Sequence, residues 1–155
     1  MKPQTVLIAF FYGLVTLILL PLLFIWLNFE LSLPSYSFLM FRLVGFILIL
    51  FGTAFWLYSI SLFHFSGKGT PVPTSPPRKL VTNGVYKYTR NPMYISVLLI
   101  LLGYFIIFGQ LLLILNLFIV AFFFHLFITR YEEPTLNKKF GKSYTEYCNK
   151  VPRWL

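Results

Sequence analysis

Four apolar runs, Thr5–Leu27, Phe38–Phe63, Met93–Phe108 and Leu111–Thr129, fix most of what this chain can become. About 20 apolar residues are enough to cross about 30 Å of hydrocarbon. No water serves the backbone inside that layer, so each run must satisfy its own amides and carbonyls as a helix. The runs predict an all-α membrane protein with about four transmembrane helices, a single integral membrane domain over residues 1–155. Composition points the same way: 58% of residues are hydrophobic and 11% charged, against about 45–50% and about 25% in soluble chains. A signal-peptide core has about 7–15 residues and a small-residue cleavage site after it; the first run is longer and lacks one, so it is expected to stay as the first span. Pro21 predicts a kink there. Only Gly109-Gln110 separates the last two runs, which predicts a tight antiparallel hairpin.

Lysine and arginine number 13 against four aspartates and glutamates, a balance that brings nucleic acid to mind as a partner. The distribution argues against it, because the basic residues gather at span ends and form no continuous basic face. With four spans, one side carries Lys2, Lys68, Arg78, Lys79, Lys87, Arg90, Arg130, Lys138, Lys139, Lys142, Lys150 and Arg153, and the other only Arg42. An excess of Lys and Arg marks the cytoplasmic side. Both termini and the middle segment are therefore expected to be cytoplasmic in a multi-pass protein whose basic rim meets membrane lipids. The single Cys148 cannot form an intrachain disulfide, and no Cys/His spacing resembles a zinc site, so no metal is expected.

Two polar clusters stand at the exits of the apolar runs. The first, residues 66–92, holds Pro71, Pro73, Pro76 and Pro77, which remove backbone donors and predict an extended loop. It opens on Gly67-Lys68-Gly69, where the backbone can approach a ligand and offer amides to an anion; a flexible helix exit is the plainer reading. It closes on Gly84-Val85-Tyr86-Lys87-Tyr88-Thr89-Arg90-Asn91-Pro92-Met93-Tyr94. Pro92 suits the first position of the third span and Asn91 its N-cap. Arg90 then sits beside a helix N-terminus that favours negative charge, a place to clamp a carboxylate or phosphate. An ordinary cap with a snorkelling arginine and interfacial tyrosines is the alternative.

The second cluster, residues 130–155, starts with Glu132-Glu133, half of all the acids in the chain, on its most basic side. Carboxylates there can accept from ribose hydroxyls or hold an ammonium or sulfonium; a helix-end salt bridge to Arg130 or Lys87 is the alternative. Leu136, Phe140, Tyr144 and Tyr147 recur at helical spacing with Lys138, Lys139 and Lys142 between them, which predicts an amphipathic helix lying against the bilayer. His125 precedes Glu132 by seven residues, about 20° apart on a helical wheel. Ionisable groups within spans are functional candidates, so His125 and His64 are noted, each also compatible with a neutral hydrogen-bonded histidine. Asn116 reads as structural.

A Gly-x-Gly after a span, then GVYKYTRNPMY, a hydrophobic hairpin, EE and FGKSYTEY together resemble the membrane-embedded isoprenylcysteine carboxyl methyltransferase and phospholipid methyltransferase families. The resemblance runs from about Gly67 onward. It implies methyl transfer from S-adenosylmethionine, with Gly67, Gly69, Tyr86, Arg90, Asn91, Pro92, Met93, Tyr94, Glu132 and Glu133 around the cofactor. Tyr131 joins Tyr86 and Tyr94 as an aromatic neighbour for a sulfonium. Those families usually carry Arg-His-Pro where this chain has Arg90-Asn91-Pro92. Asparagine does not titrate near neutral pH, so a base, where the acceptor needs one, must come from His125, Glu132 or Glu133. The residues implied in catalysis are thus Arg90, Asn91, Glu133 and His125.

The expected function is S-adenosylmethionine-dependent methylation of a lipophilic or membrane-associated acceptor, isoprenylcysteine carboxylate-like or phospholipid-like. A nicotinamide-dependent membrane reductase is one rival, although a phosphate-rich cofactor gains nothing from Glu132-Glu133. The other is a non-catalytic membrane scaffold of the same fold, which Asn91 favours. The identity of the acceptor and the oligomeric state stay open.

Overall fold

The computed structural model describes residues 3–67 and 79–155, without the side chains of residues 3–6, 8, 9 and 64. Lys2, Lys68, Gly69, Pro71, Pro73, Pro76, Pro77 and Arg78 lie outside the described residues, as does the side chain of His64. Helix α1 (Pro3–Leu14) continues through a π-helical turn, Val15–Leu19, into α2 (Leu20–Glu30). Helices α3 (Leu39–Phe65), α4 (Pro92–Phe108) and α5 (Leu111–Phe127) follow. A second π turn, Ile128–Glu132, leads without interruption from α5 into α6 (Glu133–Phe140), and α7 is Lys142–Lys150. Among the described residues there is no strand, only one isolated antiparallel bridge between Ser35 and Gln110.

This is an all-α membrane protein. Three continuous helices, Phe10–Glu30, Leu39–Phe63 and Leu111–Phe140, are long and apolar enough to cross a membrane, and α4 is shorter at 17 residues. Large apolar side chains such as Phe10, Phe29, Met40, Phe51 and Phe122 point outward, as a hydrocarbon solvent allows. Helix α4 is the central element: from Pro92 to Ile107 every residue is buried or half-buried, and only Phe108 is exposed.

Small residues set how α3 and α4 meet. Gly45, Gly52 and Ser59 are buried on one face of α3, seven residues apart, opposite the similarly spaced Ser96 and Gly103 of α4. A Cβ on Gly45 would stand 2.7 Å from the carbonyl oxygen of Gly103, and one on Gly103 would stand 2.8 Å from that of Gly45. The backbones touch, and dispersion along this seam replaces the hydrophobic effect, which lipid does not supply.

The hairpin expected at Gly109-Gln110 forms. Gly109 ends α4 at φ 60°, and a side chain there would run into the Tyr36 carbonyl, whose own amide nitrogen bonds back to the Gly109 oxygen at 3.0 Å. The α2–α3 and α4–α5 connections therefore share one end of the bundle. At Pro21 the helix stays continuous. The preceding π turn, in which the Leu20 amide reaches the Val15 carbonyl, absorbs the disturbance in hydrogen bonding that the missing proline donor creates. Asn116 is 1% exposed, and neither its amide nitrogen nor its oxygen meets a partner among the described residues.

The segment after α5 differs from the expected single helix against the bilayer. Gly141 breaks it at φ 52°, and α7 folds back so that Tyr144, Tyr147 and Val151 form a core with Leu80, Leu136, Phe140 and Cys148. Its apolar face thus turns inward onto the chain ahead of α4 and leaves the lysines outside.

Candidate functional site

At the other end of the bundle, the exit of α3, the segment before α4, the π turn after α5, and α6 and α7 converge. They enclose a cavity of about 30 Å³, the room of roughly two waters. Its polar walls are Tyr86, Arg90, Asn91, Glu132 and Glu133; its apolar walls are Phe63, Leu80, Val81 and Leu136, with Tyr144 and Tyr147.

Local structure explains how each group reaches the cavity. The 3₁₀ turn Gly84–Lys87 starts at φ 58° for Gly84 and delivers Tyr86, which is 4% exposed, against Phe63 at 5.3 Å between ring centroids. Tyr147 Oη donates to the Tyr86 carbonyl at 2.7 Å. Burial pushes both phenols up, so each remains a neutral donor. Pro92 opens α4 as expected. Asn91 occupies the cap position without capping: its Nδ2 donates to the Arg153 carbonyl at 2.9 Å, and Thr89 Oγ1 donates to the same oxygen at 3.2 Å.

The two glutamates sit side by side in sequence and in different electrostatic settings. Both lie beyond the apolar run Leu111–Thr129, in the polar continuation of its helix. Glu133 receives a bidentate fork from Arg153, Nε to Oε1 at 2.8 Å and Nη2 to Oε2 at 2.9 Å. Arg90 Nη1 reaches the same Oε1 at 3.0 Å and also donates to Cys148 Sγ at 2.8 Å. Burial alone would raise the Glu133 carboxyl; the Arg153 hydrogen bonds and then the Arg90 charge outweigh it and hold it below the usual carboxylate range. Glu132 has no ion pair among the described residues. Tyr94 Oη donates to its Oε2 at 2.6 Å, and Tyr94 is in turn packed edge-on against Phe124 of α5. Burial pushes the Glu132 carboxyl up, more than the Tyr94 hydrogen bond lowers it, and the Glu133 charge adds to the rise.

The π turn places both acids. A turn with one residue more than the α-helix shifts everything after it around the axis, so Glu132 and Glu133 both face the cavity. The same shift overturns the wheel alignment of His125 with Glu132. His125 is exposed and outside the cavity wall; its Nδ1 accepts from Trp154 Nε1 at 3.4 Å and its ring stacks on that indole. Tyr131, exposed, stacks on Phe127. Gly67 is buried, its carbonyl accepting from the Lys79 amide at 3.2 Å, and Met93 is half-buried; neither lines the cavity. Gly69 is outside the described residues. The salt bridges thought of as running from the glutamates to Arg130 or Lys87 run instead from Glu133 to Arg90 and Arg153.

Arg153, Thr89, Tyr147 and Cys148 were not legible as site residues, and the only trace of the turn that brings Arg153 back is Pro152 after a short amphipathic helix. One observation bears directly on ligand chemistry. Arg90 Nε is buried and meets no acceptor among the described residues, in the same cavity as a carboxylate, Glu132, that holds no cation. An orphaned cationic donor beside an uncompensated acid suits a ligand carrying both charges.

A family model of phospholipid methyltransferases matches residues 40–143, from the first turn of α3 to the start of α7. No curated protein and no solved structure matches the chain.

Proposed function

The chain belongs to the phospholipid methyltransferase family, and from that premise we propose that it is a membrane methyltransferase that uses S-adenosylmethionine to methylate a lipophilic acceptor, phospholipid-like or isoprenylcysteine carboxylate-like. The observation that carries this reading is the free Arg90 Nε donor beside the carboxyl of Glu132, which has no ion pair among the described residues, in one cavity. The cofactor supplies an electrophilic methyl group on a sulfonium, along with a carboxylate, an ammonium and ribose hydroxyls. Arg90 suits the carboxylate, its free Nε donating to one of the carboxylate oxygens. Glu132 suits a ribose hydroxyl or a cationic centre, and the Tyr86 ring offers a face to a sulfonium. Asn91 lines the same pocket, and Tyr94 holds Glu132 from the first turn of α4; Gly67, Gly69, Pro92 and Met93 enter this reading through the family resemblance.

Where the acceptor is an amine, a proton must leave it. Glu132, raised by burial, is the better base, because Glu133 is held ionised by two arginines and accepts a proton poorly. A carboxylate acceptor needs no base, and the site then acts by positioning. The site end is cytoplasmic in this reading, supported by the basic residues that crowd it.

Titration calorimetry of the detergent-purified protein with S-adenosylmethionine and S-adenosylhomocysteine tests the proposal. Micromolar binding by the parent, lost in a folded Arg90→Ala, Glu132→Gln double variant, is the expected result. A folded parent that binds neither compound sinks it.

A further inference from the structure

The segment after α7 lies beyond the residues that the family model matches, yet it is tied into the cavity by five hydrogen bonds. The Pro152 carbonyl accepts from the Arg90 amide at 3.0 Å, and the Arg153 carbonyl takes Asn91 Nδ2 and Thr89 Oγ1. The Arg153 guanidinium forks Glu133, whose Oε1 also holds Arg90. From this geometry we propose that Arg153 is a positioning residue, and that residues 152 and 153 form a latch fixing Arg90 and Glu133 in the arrangement that binds ligand.

The physical argument is one of charge and orientation. Glu133 is 18% exposed and Arg90 13%. Without Arg153, Glu133 keeps one cationic partner and the full attraction of Arg90, whose guanidinium is then drawn wholly onto it. With Arg153 in place both Glu133 oxygens are occupied, Arg90 is shared, and its Nε is left directed elsewhere. A bidentate fork fixes orientation as well as charge, which lysine cannot reproduce. The backbone half of the latch also accounts for Asn91: its amide is spent on the Arg153 carbonyl, so its role is to hold the segment, not to touch an acceptor.

The inference rests on the cofactor reading above only for its second readout. Cys148 is the single cysteine of the chain and touches Arg90, so it reports the assembly without any ligand. The experiment compares the parent, Arg153→Ala and Arg153→Lys in detergent, each shown by circular dichroism to retain its helices. Maleimide labelling of Cys148 is timed, and affinity for S-adenosylhomocysteine is measured by calorimetry. The latch predicts Cys148 labelling faster by about tenfold in Arg153→Ala and intermediate in Arg153→Lys, with affinity weakened by about tenfold and partly recovered by lysine, the scale of one charge-assisted contact. Labelling that does not change in a folded Arg153→Ala overturns the latch, whatever the calorimetry gives. So does tighter binding by that variant, which would make Arg153 a competitor for the site. Faster labelling together with a parent that binds no S-adenosylhomocysteine supports the latch and rejects the cofactor reading.

Discussion

Glu132 and Glu133 are chemically the same side chain one residue apart, and the fold gives them opposite properties. Glu133, depressed by its arginines, contributes stability that is present above the ordinary carboxylate value of about 4.3 and is lost as pH falls through its lower folded value. Glu132 is raised, so its contribution is present below that ordinary value and is lost as pH rises through the higher folded one; burying this carboxyl costs stability at the pH where its unfolded counterpart is ionised. Glu132→Gln keeps an acceptor for Tyr94 and removes the buried charge. It is expected to raise the melting temperature at neutral pH by about 2–4 °C while weakening binding of the proposed cofactor, and to abolish the fall in that binding expected of the parent as pH drops through the raised value of Glu132. A variant less stable than the parent at neutral pH would contradict this account of Glu132. The acids were legible in sequence because acids are rare in this chain, and Arg90 because it stands directly before the Asn91-Pro92 start of a span. Arg153 was not, since it is one basic residue among many on a basic rim, and only its return path distinguishes it.

The apolar runs name the helices, because hydrocarbon leaves the backbone no alternative. Register within a helix is harder to see. The π turn at Ile128–Glu132 costs the chain regular hydrogen bonding, and tertiary contacts make it worthwhile by turning both glutamates inward. Nothing local announces it, which is why His125 looked aligned with Glu132 and is not. The seven-residue spacing of Gly45, Gly52 and Ser59 against Ser96 and Gly103 was visible in principle and carries the α3–α4 seam. Gly103→Ala places a methyl against the Gly45 carbonyl and is expected to cost about 1–3 kcal/mol. Gly13→Ala, where nothing lies within 4 Å of the added carbon, is expected to be neutral or slightly stabilising. Detergent-denaturation midpoints decide; equal effects at the two glycines would dismiss the seam as the reason for their size.

The molecule as a whole divides its ends. The α2–α3 and α4–α5 connections meet at one, and the charged cavity occupies the other. The proposed orientation is checked with single cysteines in a Cys148→Ser background. A membrane-impermeant maleimide should label Lys142→Cys in inside-out vesicles and Ser35→Cys only in right-side-out ones, both side chains being exposed; the reverse pattern would put the site outside. Helix α4, which carries Pro92 and Tyr94 and supports the cavity floor, has 17 residues, about 25 Å of helix against about 30 Å of hydrocarbon. That shortfall is a hydrophobic mismatch at the centre of the fold. A bilayer that thins beside α4, or a cavity that sinks below the headgroups, would accommodate it. In either case lipid chain length becomes a variable of the proposed reaction, and a membrane of shorter acyl chains brings its surface down to the level of the charged cavity.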